Sequence, residues 1–349
     1  PIEKLFEKIL YEQLYDHLES NYLLRPEQHG FRQRLSCETA LNDVSEFWRS
    51  NIDNRKCVMS AFLDLKKAFD TVDHDILLFK LHYYHIHPDA IKLISSYLIN
   101  RSYQVCLMGA NSDKLKLTTG VPQGSSLGPL LFLIYINDVV LENGQTNSKC
   151  IQLILFADDT TISAAGDDFN STANILSQEL NRIENWLCHN RLLINWSKTN
   201  FMIIQSNMDE GPKQLSIGSN TIDRIDKTKL LGVEIDYMLK YDKHVKEVCA
   251  KINRKANLIS RKFYLFDANF KLTLFKLFLL PYFDYCSTLF GDISVDNFTK
   301  LSKCYTRNVK LFLKVDIHEK DVEQQNNIDY LIYSYLAIVS SLNVISNLK

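Results

Sequence analysis

Apolar residues recur along this chain with two periods, 3.6 residues and two residues. The first is typical of amphipathic helices, and alternating or continuous short apolar runs are typical of strands. Ser36 is a candidate helix N-cap, and Thr71 or Asp73 is another. The pattern predicts helices over 3–18, 36–48, 71–84, 89–100, 129–140 and 172–188. It predicts strands over 57–65, 103–108, 114–118, 151–157, 160–165, 200–205, 214–217, 221–225 and 229–236.

The order of these elements predicts the fold class. Strands interleave with helices up to about residue 237, and from Lys240 onward the pattern is mainly helical. This organisation favours an α+β body over 1–237 and an α-helical part over 238–349. The uncharged stretch 330–348 is long enough to span a bilayer, but six of its residues are Ser or Asn and no basic flank precedes it. We therefore expect a buried helix there and no membrane partner.

Composition adds a few constraints. The 349 residues carry 40 Lys and Arg against 41 Asp and Glu, so the total charge does not point to a nucleic-acid partner. The eight Cys are scattered and form no CxxC pair, which favours reduced thiols in an intracellular protein over disulfides or a zinc site. No signal peptide is visible. Because the first residue is Pro, we expect a fragment of a longer protein.

Three carboxylates stand where apolar residues dominate. Asp64 lies within the run 58–65, and Asp158 and Asp159 separate two apolar strands. Paired acids in a turn are by themselves ordinary. If the three strands are neighbours in one sheet, however, the carboxylates converge and repel one another unless a cation neutralises them. Oxygen ligands of this kind suit Mg²⁺ or Mn²⁺, and two such ions can support nucleotidyl transfer.

Three sequence blocks carry a resemblance to a known family. FLDLKKAFDTVDH (62–74), GVPQGSSLGPLLFLIYIND (120–138) and LFADDT (155–160) resemble, in this order, the palm of reverse transcriptases, and among these the non-LTR, jockey-like retrotransposons. QHGFRQRLSCETAL (28–41), NRLLINWSKTNFM (190–202) and KLLGVEID (229–236) support it, the last resembling a primer grip. The resemblance implies a right-hand polymerase. Partial fingers and an antiparallel palm sheet would occupy 1–237, followed by a helical thumb.

The resemblance also implies a reaction and its metal site. The chain would copy element RNA into DNA from dNTPs, with target DNA as primer, using Mg²⁺ or alternatively Mn²⁺ in a two-metal mechanism. Asp64 and Asp158 would bind the metal ions, Asp159 would be the second acid of the pair, and Leu65 would offer its backbone carbonyl. Lys198 would protonate the leaving pyrophosphate, although a solvated surface charge is an equally ordinary role for a lysine.

Other residues would contact the nucleotide or the nucleic acid. Phe69 matches the steric gate that excludes a 2′-hydroxyl, or it is a core aromatic. Gln123 and Gly124 match the turn that contacts the template and the incoming dNTP. Arg32 and Arg34 would lie on the fingers near phosphate. The segment 240–262 carries eight Lys and Arg against two acids, and would track the phosphate backbone. Its candidate contact residues are Lys251, Arg254 and Lys255.

Two alternatives remain open at this stage. The family's basic triphosphate-binding block, endonuclease and Cys/His knuckle are not in this sequence, so a catalytically impaired fragment or a domesticated RNA-binding relic is an alternative to an active polymerase. Residues 124–128, GSSLG, also match the GxSxG elbow of serine hydrolases, with Asp158 and His189 in the matching order. The preceding TTGVPQ does not read as the required strand.

For the polymerase, we expect a location in the nucleus and cytoplasm.

Overall fold

The computed structural model describes residues 2–99, 101–140, 150–204 and 211–313. The chain forms two compact units, Pro1–Asp226 and Lys227–Lys349. The division lies about ten residues before the predicted boundary at 237/238.

The helices of the first unit match the predicted ones closely. Ser36 caps the second helix by accepting from the Thr39 amide, and Asp73 caps the third by accepting from the Ile76 amide. Asp168 closes a capping box with Ser171 at the start of the longest helix. These helices are α1 (Ile2–Ser20), α2 (Cys37–Asp53), α3 (His74–Tyr83), α4 (Pro88–Leu98), α5 (Gly128–Ile136) and α6 (Phe169–His189).

Six strands in the described part of this unit form one sheet, and they are β1 (Cys57–Leu63), β6 (Ile151–Phe156), β7 (Asp159–Gly166), β8 (Asn200–Ile204), β9 (Gln214–Ile217) and β10 (Asn220–Arg224). Their order across the sheet is β6-β7-β1-β8-β10-β9. Neighbouring strands are antiparallel except β8 and β10, which are parallel. The predicted strands at 57–65, 151–157 and 160–165 are thus neighbours.

Helices cover both faces of the sheet. Helix α2 packs on β1, β6 and β7, where the indole of Trp48 donates to the hydroxyls of Ser60 (2.6 Å) and Ser163 (3.0 Å). Alternate residues of β1, Met59 and Ala61, join the main core instead, with α5 and the apolar stripe of α6. Side chains alternate between the faces of a strand, so β1 is buried on both. This explains its continuous apolar run.

The predicted hairpin after α4 is smaller than expected. Residues 102–103 pair with 115–116 as predicted, but an inner ribbon of 106–107 with 110–111 interrupts the long strand. Met108 and Gly109 adopt positive φ and turn the chain there. The four short strands are β2 (Ser102–Tyr103), β3 (Cys106–Leu107), β4 (Ala110–Asn111) and β5 (Leu115–Lys116).

The second unit begins with a hairpin, so the prediction of one strand over 229–236 is wrong. Leu231 and Gly232 both have positive φ and reverse the chain between β11 (Lys227–Leu230) and β12 (Val233–Asp236). The Asp236 carboxylate accepts from the Tyr241 amide (2.8 Å), and Lys243 pairs with Glu234 (2.7 Å). These contacts join the hairpin to the helix that follows, which explains why the division precedes it.

The remaining helices of this unit pack around an aromatic core. Val245, Val248 and Ile252 of the basic helix face Tyr305 and Phe312 of the last described helix. The helices are α7 (Asp242–Ser260), α8 (Ala268–Phe278), α9 (Leu280–Asp284) and α10 (Val295–Leu313). No helix in the described ranges is both long and apolar enough to cross a membrane. The stretch 330–348 lies outside those ranges.

Candidate active site

Two strand pairings, β6 with β7 and β1 with β7, bring the predicted carboxylates to the same end of the sheet. Strands β6 and β7 are joined by a turn of two residues, Ala157 and Asp158, and Phe156 pairs with Asp159. Strand β1 pairs with β7 so that Leu63 lies opposite Thr160. Continuing this register by one residue places Asp64 opposite Asp159. The convergence that the sequence predicted therefore follows from strand order and register.

Asp64 is held by the segment that leads into β8. Its carboxylate accepts from the Asn195 side-chain amide at 2.8 Å, and its backbone carbonyl accepts from the Asn195 amide at 2.7 Å. Lys198 Nζ lies 3.7 Å from the same carboxylate oxygen. The Asp64 side chain is 37% exposed, so it is fixed in position but still open to a ligand. Asn195 is a site residue that the sequence reasoning missed.

The Asp159 carboxyl shows the electrostatic strain of this arrangement. Its pKa is raised, first because the protein removes solvent around the carboxyl, and then because Asp158 and Asp64 repel its charge. The residue as a whole is nevertheless classed as exposed. A cation bound among these groups would relieve the repulsion.

Leu65 lies next to these acids in an isolated bridge. It faces Ile194, and the hydrogen bonds of that bridge use the carbonyl of Asp64 and the amide of Lys66. The Leu65 carbonyl is therefore not consumed by the bridge.

The donor set suits a magnesium ion that also binds substrate. In the described residues, no three His, Cys, Asp or Glu side chains are gathered closely enough to hold a metal unaided. Mg²⁺ is commonly bound by one or two carboxylates together with substrate phosphates. Asp64 and Asp158 fit a site of this kind, in which substrate phosphates complete the coordination. The raised pKa of Asp159, caused in part by the charges of Asp158 and Asp64, shows that negative charge is concentrated there.

Phe69 lies on a short 3₁₀ helix, Ala68–Asp70, after β1. Its ring stacks on Phe132 with centroids 4.4 Å apart and packs perpendicular to the Phe31 ring with centroids 6.4 Å apart. The side chain is half-buried, so one part belongs to the core and the other is accessible. The two sequence interpretations of Phe69 are therefore compatible with each other.

The turn at 120–124 is fastened to the Phe69 segment. The Val121 amide donates to the Phe69 carbonyl at 2.9 Å, and Gln123 Nε2 donates to an Asp70 carboxylate oxygen at 2.9 Å. Gly124 has φ +75° and is exposed, and a Cβ there would meet nothing within 4 Å. The positive φ favours glycine, and the open space allows a ligand to approach the backbone.

The two arginines predicted on the fingers differ. The Arg32 guanidinium forms a two-point pair with Glu19 (2.8 and 2.9 Å) and donates to the Arg25 carbonyl. Its side chain is only 12% exposed, so the Arg32 guanidinium is engaged within the protein, and its predicted place near phosphate or template stays a prediction. The half-buried carboxylate partner, Glu19, was not visible in the sequence. Arg34 is exposed.

The basic residues of α7 belong to the second unit. Lys251 and Arg254 are exposed, and Lys255 Nζ lies 4.7 Å from the centroid of the Tyr282 ring. Lys251 and Tyr282 also line a cavity of about 280 Å³. Cations beside an aromatic face are a common arrangement in surfaces that bind nucleic acid.

The serine hydrolase interpretation has no geometric support. No strand leads into Ser126, and its amide donates to the Glu7 carboxylate at 2.6 Å. The His189 ring instead contacts the Asn185 carbonyl at 2.6 Å.

Comparison with known families decides what this site belongs to. The model of a family described as reverse transcriptase (RNA-dependent DNA polymerase) matches residues 2–235. The chain belongs to the reverse transcriptase family. The match covers all three palm blocks and both strands of the acidic hairpin.

Relatives of this reverse transcriptase confirm the predicted subgroup. The chain is 29% identical over 294 residues to the probable RNA-directed DNA polymerase from transposon X-element of Drosophila melanogaster, covering 83% of this chain and 32% of that protein. It is 24% identical over 304 residues to the RNA-directed DNA polymerase from mobile element jockey of the same species, covering 85% and 33%. The chain thus spans about a third of the length of these relatives.

Solved structures give a weaker likeness. Telomerase from Candida tropicalis, in complex with a fragment of telomeric RNA, aligns with a TM-score of 0.49 and 12% identity, over 92% of this chain and 56% of that one. At this score the likeness adds nothing to the family assignment. The α+β class predicted for the fold is confirmed by the mixed, mainly antiparallel sheet and its packed helices.

Proposed function

We propose that this chain is the polymerase portion of a non-LTR retrotransposon protein and copies element RNA into DNA. The observation that carries the proposal is the register of β1 with β7, which, continued by one residue, sets Asp64 opposite Asp159, next to the Ala157–Asp158 turn, in a chain of the reverse transcriptase family. The substrates are dNTPs, an RNA template and a DNA primer end at the target site. The reaction takes place inside the cell, where element RNA and chromosomal DNA are found.

Asp64 and Asp158 hold Mg²⁺, with Asp159 as the adjacent acid and the Leu65 carbonyl as a further oxygen ligand. When bound, the metal ions activate the primer 3′-hydroxyl and stabilise the leaving pyrophosphate. Asn195 orients Asp64 by donating to it at 2.8 Å. Lys198, 3.7 Å from Asp64, supplies a proton or positive charge to the leaving group.

The Phe69 ring and the turn at Gln123 and Gly124 form the nucleotide side of the site. Phe69 is backed by Phe132 at 4.4 Å, so the ring does not yield when a sugar packs against it. A 2′-hydroxyl is excluded for that reason. Gln123 donates to the Asp70 carboxylate, and this hydrogen bond holds its side-chain amide in place. In that position the amide contacts the template or the nucleotide.

We assign fingers and palm to the unit Pro1–Asp226 and the thumb to the unit that begins at Lys227. The exposed cations of α7, with Arg34 in the first unit, bind the phosphate backbone of template and primer. Lys251, Arg254 and Lys255 carry this role in α7. Phosphate contacts of this kind give affinity without sequence information.

Primer extension on an RNA template with dNTPs and Mg²⁺ tests the proposal. The Asp64→Asn protein is expected to lose about a thousandfold in rate, because a metal ligand that contributes several kcal/mol is removed. Asp168→Asn is the matched control, since Asp168 is an exposed helix cap at the far end of β7 and Asn caps equally well. Equal rates for the parent and Asp64→Asn would contradict the proposal.

A further inference from the structure

The acidic turn is braced by a residue outside the metal site. Gln28 is fully buried, and its Oε1 accepts from the Ala157 amide at 3.0 Å and from the Gly30 amide at 2.8 Å. Ala157 is the residue immediately before Asp158 and has φ +56°. We propose that Gln28 is a positioning residue for metal binding, fixing the Ala157–Asp158 turn. This inference rests on the proposed metal role of Asp158.

The backbone around Gln28 reinforces the contact. Gln28 forms a parallel bridge with Leu155, in which the His29 amide donates to the Leu155 carbonyl at 2.8 Å. A Cβ at Gly30 would overlap the Ala157 nitrogen and lie 3.0 Å from the Phe156 carbonyl carbon. Gly30 thus allows the segment to approach the turn this closely.

The segment is anchored on its other side by helices. His29 is buried and contacts the Thr39 hydroxyl of α2 at 2.9 Å. Arg32 is tied to Glu19 of α1, and the Phe31 ring packs perpendicular to the Phe69 ring. The brace is therefore rigid, and it connects the acidic turn with the proposed nucleotide side of the site.

The side chain uses only its oxygen. Gln28 Nε2 is buried and has no hydrogen-bond partner among the described residues, and both neighbours of Oε1 are N–H donors, which fixes the orientation of the amide. A buried unpaired amide costs free energy. The free-energy cost of the unpaired Nε2 therefore offsets part of the stabilisation from the two hydrogen bonds to Oε1. This is expected for a residue whose main role is to position the turn and not to stabilise the whole fold.

Mn²⁺ binding in the presence of a dNTP, followed by electron paramagnetic resonance, tests this role without relying on turnover. Gln28→Met keeps the side-chain length and removes the acceptor. It is expected to weaken Mn²⁺ binding 10–100-fold, the usual effect of losing a residue that orients a ligand, and to lower Tm modestly, because the Ala157 and Gly30 amides lose their acceptor.

The matched control is Gln152→Met. Gln152 lies at the other end of β6 and donates to the Asp43 carbonyl at 3.1 Å, so its loss should leave Mn²⁺ affinity unchanged. If Gln28→Met does not fold, Gln28→Asn keeps the amide but withdraws it from the Ala157 amide, and the same weakening is expected.

Asp158→Ala separates the two proposals. If it abolishes Mn²⁺ binding while the folded Gln28 variant binds as tightly as the parent, the role of Gln28 is overturned and the metal site stands. If Asp158→Ala binds Mn²⁺ like the parent, or the parent binds none, the metal site is wrong and the role of Gln28 is lost with it.

Discussion

Three acids, Asp64, Asp158 and Asp159, lie at one end of the sheet, and the charges of the first two act on the third. The pKa of Asp159 is raised, first by loss of solvent around its carboxyl and then by the charges of Asp158 and Asp64. The folded state therefore holds the Asp159 proton more tightly than the unfolded chain does. Its ionisation lowers the free energy of unfolding as the pH rises through the raised pKa.

Asp159→Asn removes this penalty. We expect a higher Tm than that of the parent at pH 7 without metal, a difference that shrinks as the pH falls and vanishes below the ordinary value of 3.8. Added Mg²⁺ should raise the Tm of the parent more than that of the variant, since it neutralises the same repulsion. Thermal unfolding across this pH range measures both effects.

The control for this prediction is Asp168→Asn. The pKa of Asp168 is lowered, mainly by the Ser171 amide, so its charge favours folding and its removal should not raise Tm at pH 7. An Asp159→Asn protein no more stable than the parent at neutral pH would contradict the electrostatic account.

Sequence could predict the acids but not their partners. Asp64 is recognisable because a charge inside an apolar strand is costly. Arg32 is different: its pairing with Glu19 joins residues 13 positions apart through an irregular segment, and no local pattern shows it. Asn195 was missed for the same reason, since a single Asn in a loop gives no signal until Asp64 lies beside it.

Lys80 of α3 joins three helices of the core. Its side chain is 8% exposed, and Nζ donates to the Tyr135 carbonyl at 2.6 Å and to Asp138 at 2.5 Å. The same group lies 4.6 Å from the centroid of the Trp186 ring. It therefore ties α3 to the end of α5 and to α6.

Lys80→Met should lower the free energy of unfolding by about 3 kcal/mol, because the half-buried Asp138 loses its counter-charge and the α5 carbonyl loses a donor. Urea unfolding measures this. Lys92→Met is the control: Lys92 is 79% exposed in its pair with Asp89, and a change within about 0.5 kcal/mol is expected. Equal effects of the two substitutions would contradict the bridging role of Lys80.

At this scale most helices were predictable and some strands were not. Caps at Ser36 and Asp73 fix helix starts locally. The 229–236 region reads as one strand because apolar residues continue through it, but Leu231 and Gly232 adopt positive φ and fold it into a hairpin. The Tyr285 hydroxyl, which donates to the Leu231 carbonyl at 2.6 Å, supports this turn from far along the chain.

For the whole molecule, an almost neutral total charge hides a segregated one. The chain has net charge −1, yet 240–262 is strongly basic and the acids gather elsewhere. The order of the three palm blocks was enough to predict the family, because the palm sheet needs those segments in that order. The division between the two units at 226/227 could not be predicted from the sequence, since it depends on contacts of the β11–β12 hairpin with α7.

The most direct test of the central claim is template-directed addition of a single nucleotide. The chain is given a primer on an RNA template, Mg²⁺ and one dNTP at a time, beside its Asp158→Ala variant. The account predicts that the parent adds only the dNTP complementary to the next template base and that the variant adds none. Addition that ignores the template, or that persists in Asp158→Ala, would contradict it.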